Sequence, residues 1–173
     1  VLKNNEHLDI RREAAYVLGE IGNPEVREVL FEALDDKSAL VQRVSREALT
    51  KMCKKGDRQA FDMLVEGLEN EKETVRENAF EAIDDIIQGQ DLNKSLDITD
   101  ALITGLEDNN SKVRYYAVSI LGKLRALEAV NYLINTLLED KDYRVREESA
   151  WALGEIKDSK AISSLHKALK DPE

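Results

Sequence analysis

Cysteine occurs once in the chain, at Cys53, which excludes an internal disulfide. With no charged-then-apolar leader, this points to a reducing, cytoplasmic setting. Proline occurs twice and glycine eight times while 35% of residues are charged, which fits neither a disordered tail nor a loop-rich all-β protein and favours helix. No apolar run is long enough to span a bilayer, so no membrane is expected as a partner. Basic residues number 25 against 35 acidic ones, a net charge of -10, and a nucleic-acid backbone is excluded because phosphate binding rests on clustered Lys and Arg. A basic partner is accommodated more easily. Chemistry is equally scarce. The two histidines, His7 and His166, stand at opposite ends of the chain, and no Gly-rich phosphate loop, Ser-His-Asp grouping or H-E-x-x-H occurs. Cys53, with no histidine near in sequence, reads as a small buried filler rather than a nucleophile. Neither a catalytic residue, a metal ligand nor a cofactor is expected.

What is present is a repeat. The element β-branched-Arg-x-x-small-x-x-apolar-Leu begins at Ile10, Val41, Val75, Val113 and Val145. With each start as offset 0, small residues fill offset 4 (Ala14, Ser45, Ala79, Ala117, Ser149) and larger ones offset 8 (Leu18, Leu49, Ile83, Leu121, Leu153) and offset 11 (Ile21, Met52, Ile86, Leu124, Ile156). At about 100° per residue these make one apolar stripe, so each copy predicts an amphipathic helix. These inner helices span about 9–21, 40–53, 73–87, 112–124 and 143–156. Outer helices lie between them, at about 24–35, 58–69, 97–107, 127–139 and 160–170. The leucines Leu34, Leu68, Leu106 and Leu138 each precede the next copy's start by seven residues, which fixes a tight hairpin. Asn23 before Pro24 reads as a cap with proline at the first helical position, and Asp57, Asp97 and Asp158 are equivalent starts. A single hairpin cannot bury both faces, so the copies must stack, each covering its neighbour. Residues 1–5 read as the tail of an earlier helix and the last outer helix lacks its partner. A slice of a longer array, or end-to-end self-association, is therefore expected.

The stretches "IRREAAYVLGEIGNPEVREVLFEALDD" and "VREESAWALGEI" resemble HEAT repeats, particularly those named for phycobilisome lyases, and the resemblance runs over essentially the whole chain. It implies an all-α, right-handed α-solenoid of about five stacked hairpins and roughly ten helices, with the Val-Arg helix lining the concave side. It also implies a structural ladder between the arginine and the acidic hairpin turn: Arg11, Arg76, Arg114 and Arg146 match the former, and Asp36, Asp108 and Asp140 the latter. The second copy departs, with Gln42 before Arg43 and Asn70 in the aspartate's place. Deoxyhypusine hydroxylases of this type carry several His-Glu pairs for two irons, which this chain lacks.

Positions facing away from the stripe form the expected binding face. They gather Tyr16, Tyr115, Tyr116, Tyr143 and Trp151, with Tyr132 the exception, and Tyr16 and Trp151 share offset 6. Large amphipathic aromatics in an exposed groove are what interface hot spots are made of. Glu47, Glu77, Glu81 and Glu147 lead an acidic excess on the same face, suiting a protein or peptide segment with basic and apolar residues. The expected function is a non-catalytic interaction scaffold. A bilin lyase-related, chromophore-binding subunit is the alternative, opposed by the acidic face because a bilin brings two propionates; a structural spacer within a larger protein is another. "DLNKSLD", Asp91 to Asp97, imitates the start of a calcium loop but has Leu96 and Leu102 where glycine and glutamate are needed, so residues 88–97 read as an insertion lengthening a turn.

Overall fold

The computed structural model describes residues 8–88 and 98–171. His7, residues 1–5, the cap assigned to Asp97, "DLNKSLD" and most of the 88–97 insertion lie outside the described residues. The inner helices are α1 (Leu8–Ile21), α3 (Ala39–Lys54), α5 (Glu73–Ile87), α7 (Ser111–Lys123) and α9 (Tyr143–Ile156). The outer helices are α2 (Arg27–Glu32), α4 (Arg58–Gly67), α6 (Thr99–Gly105), α8 (Val130–Glu139) and α10 (Ile162–Ala168). No strand occurs among the described residues.

Caps start these helices where the sequence supplies an oxygen. Asn23 accepts from the Glu25 amide, Asp57 from Ala60, and Asp158 from Lys160. The outer segments are not continuous α-helices. Pro24–Val26 and Ala33–Asp35 flank α2 as 3-10 turns, and Leu127–Ala129 and Ser159–Ala161 precede α8 and α10 in the same form. Such turns tighten a helix end and satisfy backbone groups the α-ladder leaves open. The tightening also sets register: α8 stays α-helical to Glu139, and there Leu137, not Leu138, takes the buried position. The chain leaves α1, α7 and α9 through a left-handed residue twelve positions after the copy's start: Gly22 (φ 61°), Arg125 (φ 52°) and Lys157 (φ 61°). Glycine adopts this at no steric cost, while the two L side chains give up about 1–2 kcal/mol each.

The described residues form two compact units, divided after Ile86. In the first, α1 packs on α3, and α2 and α4 also lie against α3. Arg46 of α3 ion-pairs with Glu81 of α5, and the buried Asn78 amide donates to the backbone carbonyls of Leu34 at 3.2 Å and Thr74 at 2.8 Å. In the second unit α7 packs on α9, α6 lies against α7, and α8 lies against both α9 and α10.

Offset 0 is buried in Val41, Val75, Val113 and Val145, as is offset 8 in Leu49, Ile83, Leu121 and Leu153. Each such side chain contributes about 1.5–3 kcal/mol. The first copy departs from the stripe: Ile10, Val17 and Ile21 are 51%, 45% and 63% exposed. A stripe is buried only where a neighbouring copy covers it.

Inner helices approach each other closely at offset 9, at the glycines of the first and fourth copies. A Cβ built on Gly19 would stand 2.5 Å from Ala48 Cβ, and one on Gly122 would stand 2.7 Å from Ala152 Cβ. Offset 4 serves within the hairpin, where Gly67 of α4 meets Ala79 Cβ at 3.0 Å from its own built Cβ. Among the described residues no helix is long and apolar enough to cross a membrane.

Candidate partner-binding site

Asp142 caps α9 by accepting from the Arg144 amide at 3.0 Å, and this start sets Tyr143, Glu147 and Trp151 four residues apart on one ridge. Opposite stand the first two turns of α7, capped by Asn110, with Lys112, Tyr115 and Tyr116. The glycine at 122 lets the two helices close on each other. Together with Ser111, Arg144 and Glu148 these residues line a cavity of about 690 Å³ within the second unit. Tyr115 and Tyr116 meet edge to face, with centroids 5.6 Å apart and planes at 79°. Such a pair contributes about 0.5–1.5 kcal/mol beyond its burial and fixes both rings. Tyr143 and Trp151 remain 52% and 42% exposed.

The charges lining the cavity are not equivalent. Arg144 donates to Asp142 through Nε at 3.1 Å and Nη2 at 2.7 Å. The guanidinium holds the Asp142 carboxyl well below the usual carboxylate range, and Asp142 in turn raises Arg144. The hydroxyl of Ser111 on α7 also donates to Asp142. That cation is therefore already matched. Among the described residues neither Glu147 nor Glu148 takes an ion-pair or hydrogen-bond partner. The unmatched charge at the cavity is negative.

The remaining residues of the expected face lie in the first unit. Tyr16 is exposed on α1. Glu47 is held by Arg43 at 3.2 Å, one turn away on α3, and Glu81 by Arg46; Glu77 is half-buried on α5. A second cavity of about 470 Å³, not anticipated from the sequence, lies at the α1 and α3 C-termini between Gly22 and Gly56. Most of its cations are matched: Arg27 bonds Asp57 at 2.8 Å, Lys51 bonds Glu20 at 2.6 Å and Arg58 bonds Asp62 at 2.9 Å.

The turn residues repeat one geometry. Arg11 Nε donates to Asp36 Oδ2 at 3.0 Å, and Arg114 grips Asp140 through Nε at 2.7 Å and Nη2 at 2.8 Å. Arg146 makes the same fork to Asp171, at 2.8 and 2.9 Å. Each arginine after the first copy also reaches a carbonyl six residues back: Arg76 to Asn70, Arg114 to Asp108, Arg146 to Asp140. Gln42 makes this last bond alone, to the Asp36 carbonyl at 2.6 Å. Asp36, Asn70, Asp108 and Asp140 each accept from the backbone amide two residues on, at Ser38, Lys72, Asn110 and Asp142. Asp171 escaped the sequence reading although it follows Leu169 by two residues, as Asp36 follows Leu34. Asp142 and Ser111 escaped it too; each opens an inner helix, and the cap signals legible in the sequence are those of the outer helices.

Against known proteins, the family model for HEAT repeats matches residues 1–84 and 99–173. A deoxyhypusine hydroxylase of Aspergillus oryzae is 33% identical over 100 residues, covering 57% of this chain; the chain spans 30% of that relative's length. Two solved structures share the fold. A designed armadillo repeat protein in complex with the peptide (KR)4 has a TM-score of 0.63 at 21% identity, over 99% of this chain and 86% of that one. The complex of CpcE and CpcF of phycocyanin lyase from Nostoc sp. PCC7120 has a TM-score of 0.61 at 22% identity, over 98% of this chain and 68% of that one.

Proposed function

We propose that this chain, which belongs to the HEAT-repeat family, is a non-catalytic scaffold that holds a protein or peptide segment bearing basic and apolar residues at the α7/α9 face of its second unit. One observation carries the reading. Tyr115, Tyr116, Tyr143 and Trp151 converge on a single cavity with the unpartnered Glu147 and Glu148. Half-exposed aromatics beside uncompensated carboxylates bury apolar area and attract cations together. The designed armadillo relative, of the same fold, is seen with a peptide of alternating Lys and Arg, which supports the same class of partner.

The likeness to deoxyhypusine hydroxylase supports no activity here. It extends over 30% of that enzyme, and the chain has only two histidines. Among the described residues no three His, Cys, Asp or Glu side chains gather as metal ligands would. The chromophore alternative rests on the lyase structure, a likeness of fold at 22% identity. Glu147 and Glu148 repel the propionates that a bilin would bring.

The test is fluorescence anisotropy with labelled peptides that mix Lys or Arg with Leu. Binding should weaken by about 1–4 kcal/mol for Trp151→Ala and for Tyr143→Ala, as for other exposed anchors, with helicity unchanged. Equal affinity in the wild type and both variants would remove the proposal.

A further inference from the structure

We infer that the α7/α9 cavity is selective for an arginine side chain of its partner, seated over Glu147 with its guanidinium plane stacked on one of the two flanking rings, Tyr143 or Trp151. This rests on the docking reading above and narrows it to one residue type.

The ridge of α9 supplies the first half of the argument. Tyr143, Glu147 and Trp151 occupy positions i, i+4 and i+8, so the carboxylate lies between two aromatic side chains, with neighbouring Cβ atoms about 5–6 Å apart. A ligand group suited to this sequence of surfaces is cationic in its centre and flat on its faces. Guanidinium meets both demands: it stacks on rings and presents a rigid fork to carboxylate oxygens, whereas an ammonium is a compact and strongly hydrated point charge.

Exposure supplies the second half. Tyr143 and Trp151 are each about half open to water, so neither ring is enclosed as the wall of a closed cage would be. A methylated or plain ammonium draws most from rings that surround it, while a planar group draws from a single face. The wall opposite, on α7, is the fixed edge-to-face pair of Tyr115 and Tyr116.

Charge supplies the third. Arg144 is tied to Asp142 by two hydrogen bonds and cannot neutralise the glutamates without releasing that partner. Glu147 and Glu148 have no partner among the described residues, so an incoming cation displaces nothing.

The probes are three acetylated and amidated peptides, Leu-Xaa-Leu, with arginine, lysine or citrulline at Xaa, the last being a neutral copy of the arginine shape. Trp151 is the chain's one tryptophan, so its emission reports the cavity directly. Arginine should bind about fivefold tighter than lysine and at least about tenfold tighter than citrulline. Glu147→Gln, an exposed site that leaves the fold intact, should cost the arginine peptide about tenfold and leave the citrulline peptide unchanged. Equal binding of lysine and arginine, or an equal loss for all three peptides in Glu147→Gln, overturns the arginine pocket and leaves the docking face standing. If none of the peptides changes Trp151 emission or binds in the anisotropy assay, the docking face falls as well.

Discussion

The second copy has already carried out a substitution that the fourth has not, and this makes the turn ladder testable. Arg114 and Asp140 are both buried, joined by two hydrogen bonds of 2.7 and 2.8 Å. Removing one partner of such a pair leaves a charge without its counter-ion, at a cost of about 3–5 kcal/mol. Arg114→Gln should therefore be strongly destabilising, although the glutamine can still reach the Asp108 carbonyl as Gln42 reaches that of Asp36. Asp140→Asn strands the guanidinium instead, while its remaining oxygen can keep the bond from the Asp142 amide, as Asn70 keeps that from Lys72. The double variant rebuilds the Gln42 and Asn70 arrangement of the second copy. It should lie within about 1 kcal/mol of the wild type, where the two single losses sum to at least about 6 kcal/mol, a coupling of about 5 kcal/mol or more between sites in direct contact. Urea unfolding followed by Trp151 emission reports from within the second unit, because no other tryptophan contributes. Additive losses, with the double variant as unstable as the two single changes summed, would refute the idea that the ladder acts as a pair.

Two further outcomes follow from packing. Gly122→Ala places a methyl 2.7 Å from Ala152 Cβ and 2.9 Å from Trp151 Cζ3, and should destabilise by about 1–3 kcal/mol with a shift in tryptophan emission. Gly154→Ala, at the same offset of the next copy, meets nothing within 4 Å and should stabilise by up to about 1 kcal/mol through helix propensity; matched losses in thermal unfolding would show that offset 9 is not the close contact. Burial, aided by Asp57, pushes the Cys53 thiol up to about 12, so the thiol stays protonated through pH 8. Iodoacetamide should label native protein at least about a hundredfold more slowly than urea-unfolded protein, and rapid labelling of the folded chain would contradict this.

Register made the architecture legible. A stripe at offsets 0, 4, 8 and 11 can be buried only by stacking, and the burial of Val113, Ala117, Leu121 and Ile156 follows from it. Register says less where the local helix type changes. Leu138 holds the seven-residue spacing of Leu34, yet Leu137 is buried, because α8 keeps α-helical pitch where α2 ends in a 3-10 turn. The glycine contacts were visible as Gly19, Gly122 and Gly154 in "VLGEI", "ILGKL" and "ALGEI". The small residues at offset 4 offer a rival account of close approach, so the sequence alone does not single these glycines out.

The candidate site was legible residue by residue but not in its charge state. Glu81 and Trp151 both stand at offset 6 of their copies, and both face away from the stripe. What separates them is the residue at offset 5 of the preceding copy. For Glu81 that residue is Arg46, which pairs with it and removes its charge from any ligand. For Trp151 it is the buried Val118, which supplies no cation to α9. Arg144 could have matched the glutamates beside Trp151, but it is two residues from its own cap and closes on Asp142 instead. A surface charge in a stacked repeat thus has its counter-ion chosen by two neighbours, the helix before it and the cap beneath it. Where both are otherwise engaged, as at Glu147 and Glu148, the charge is left for a partner.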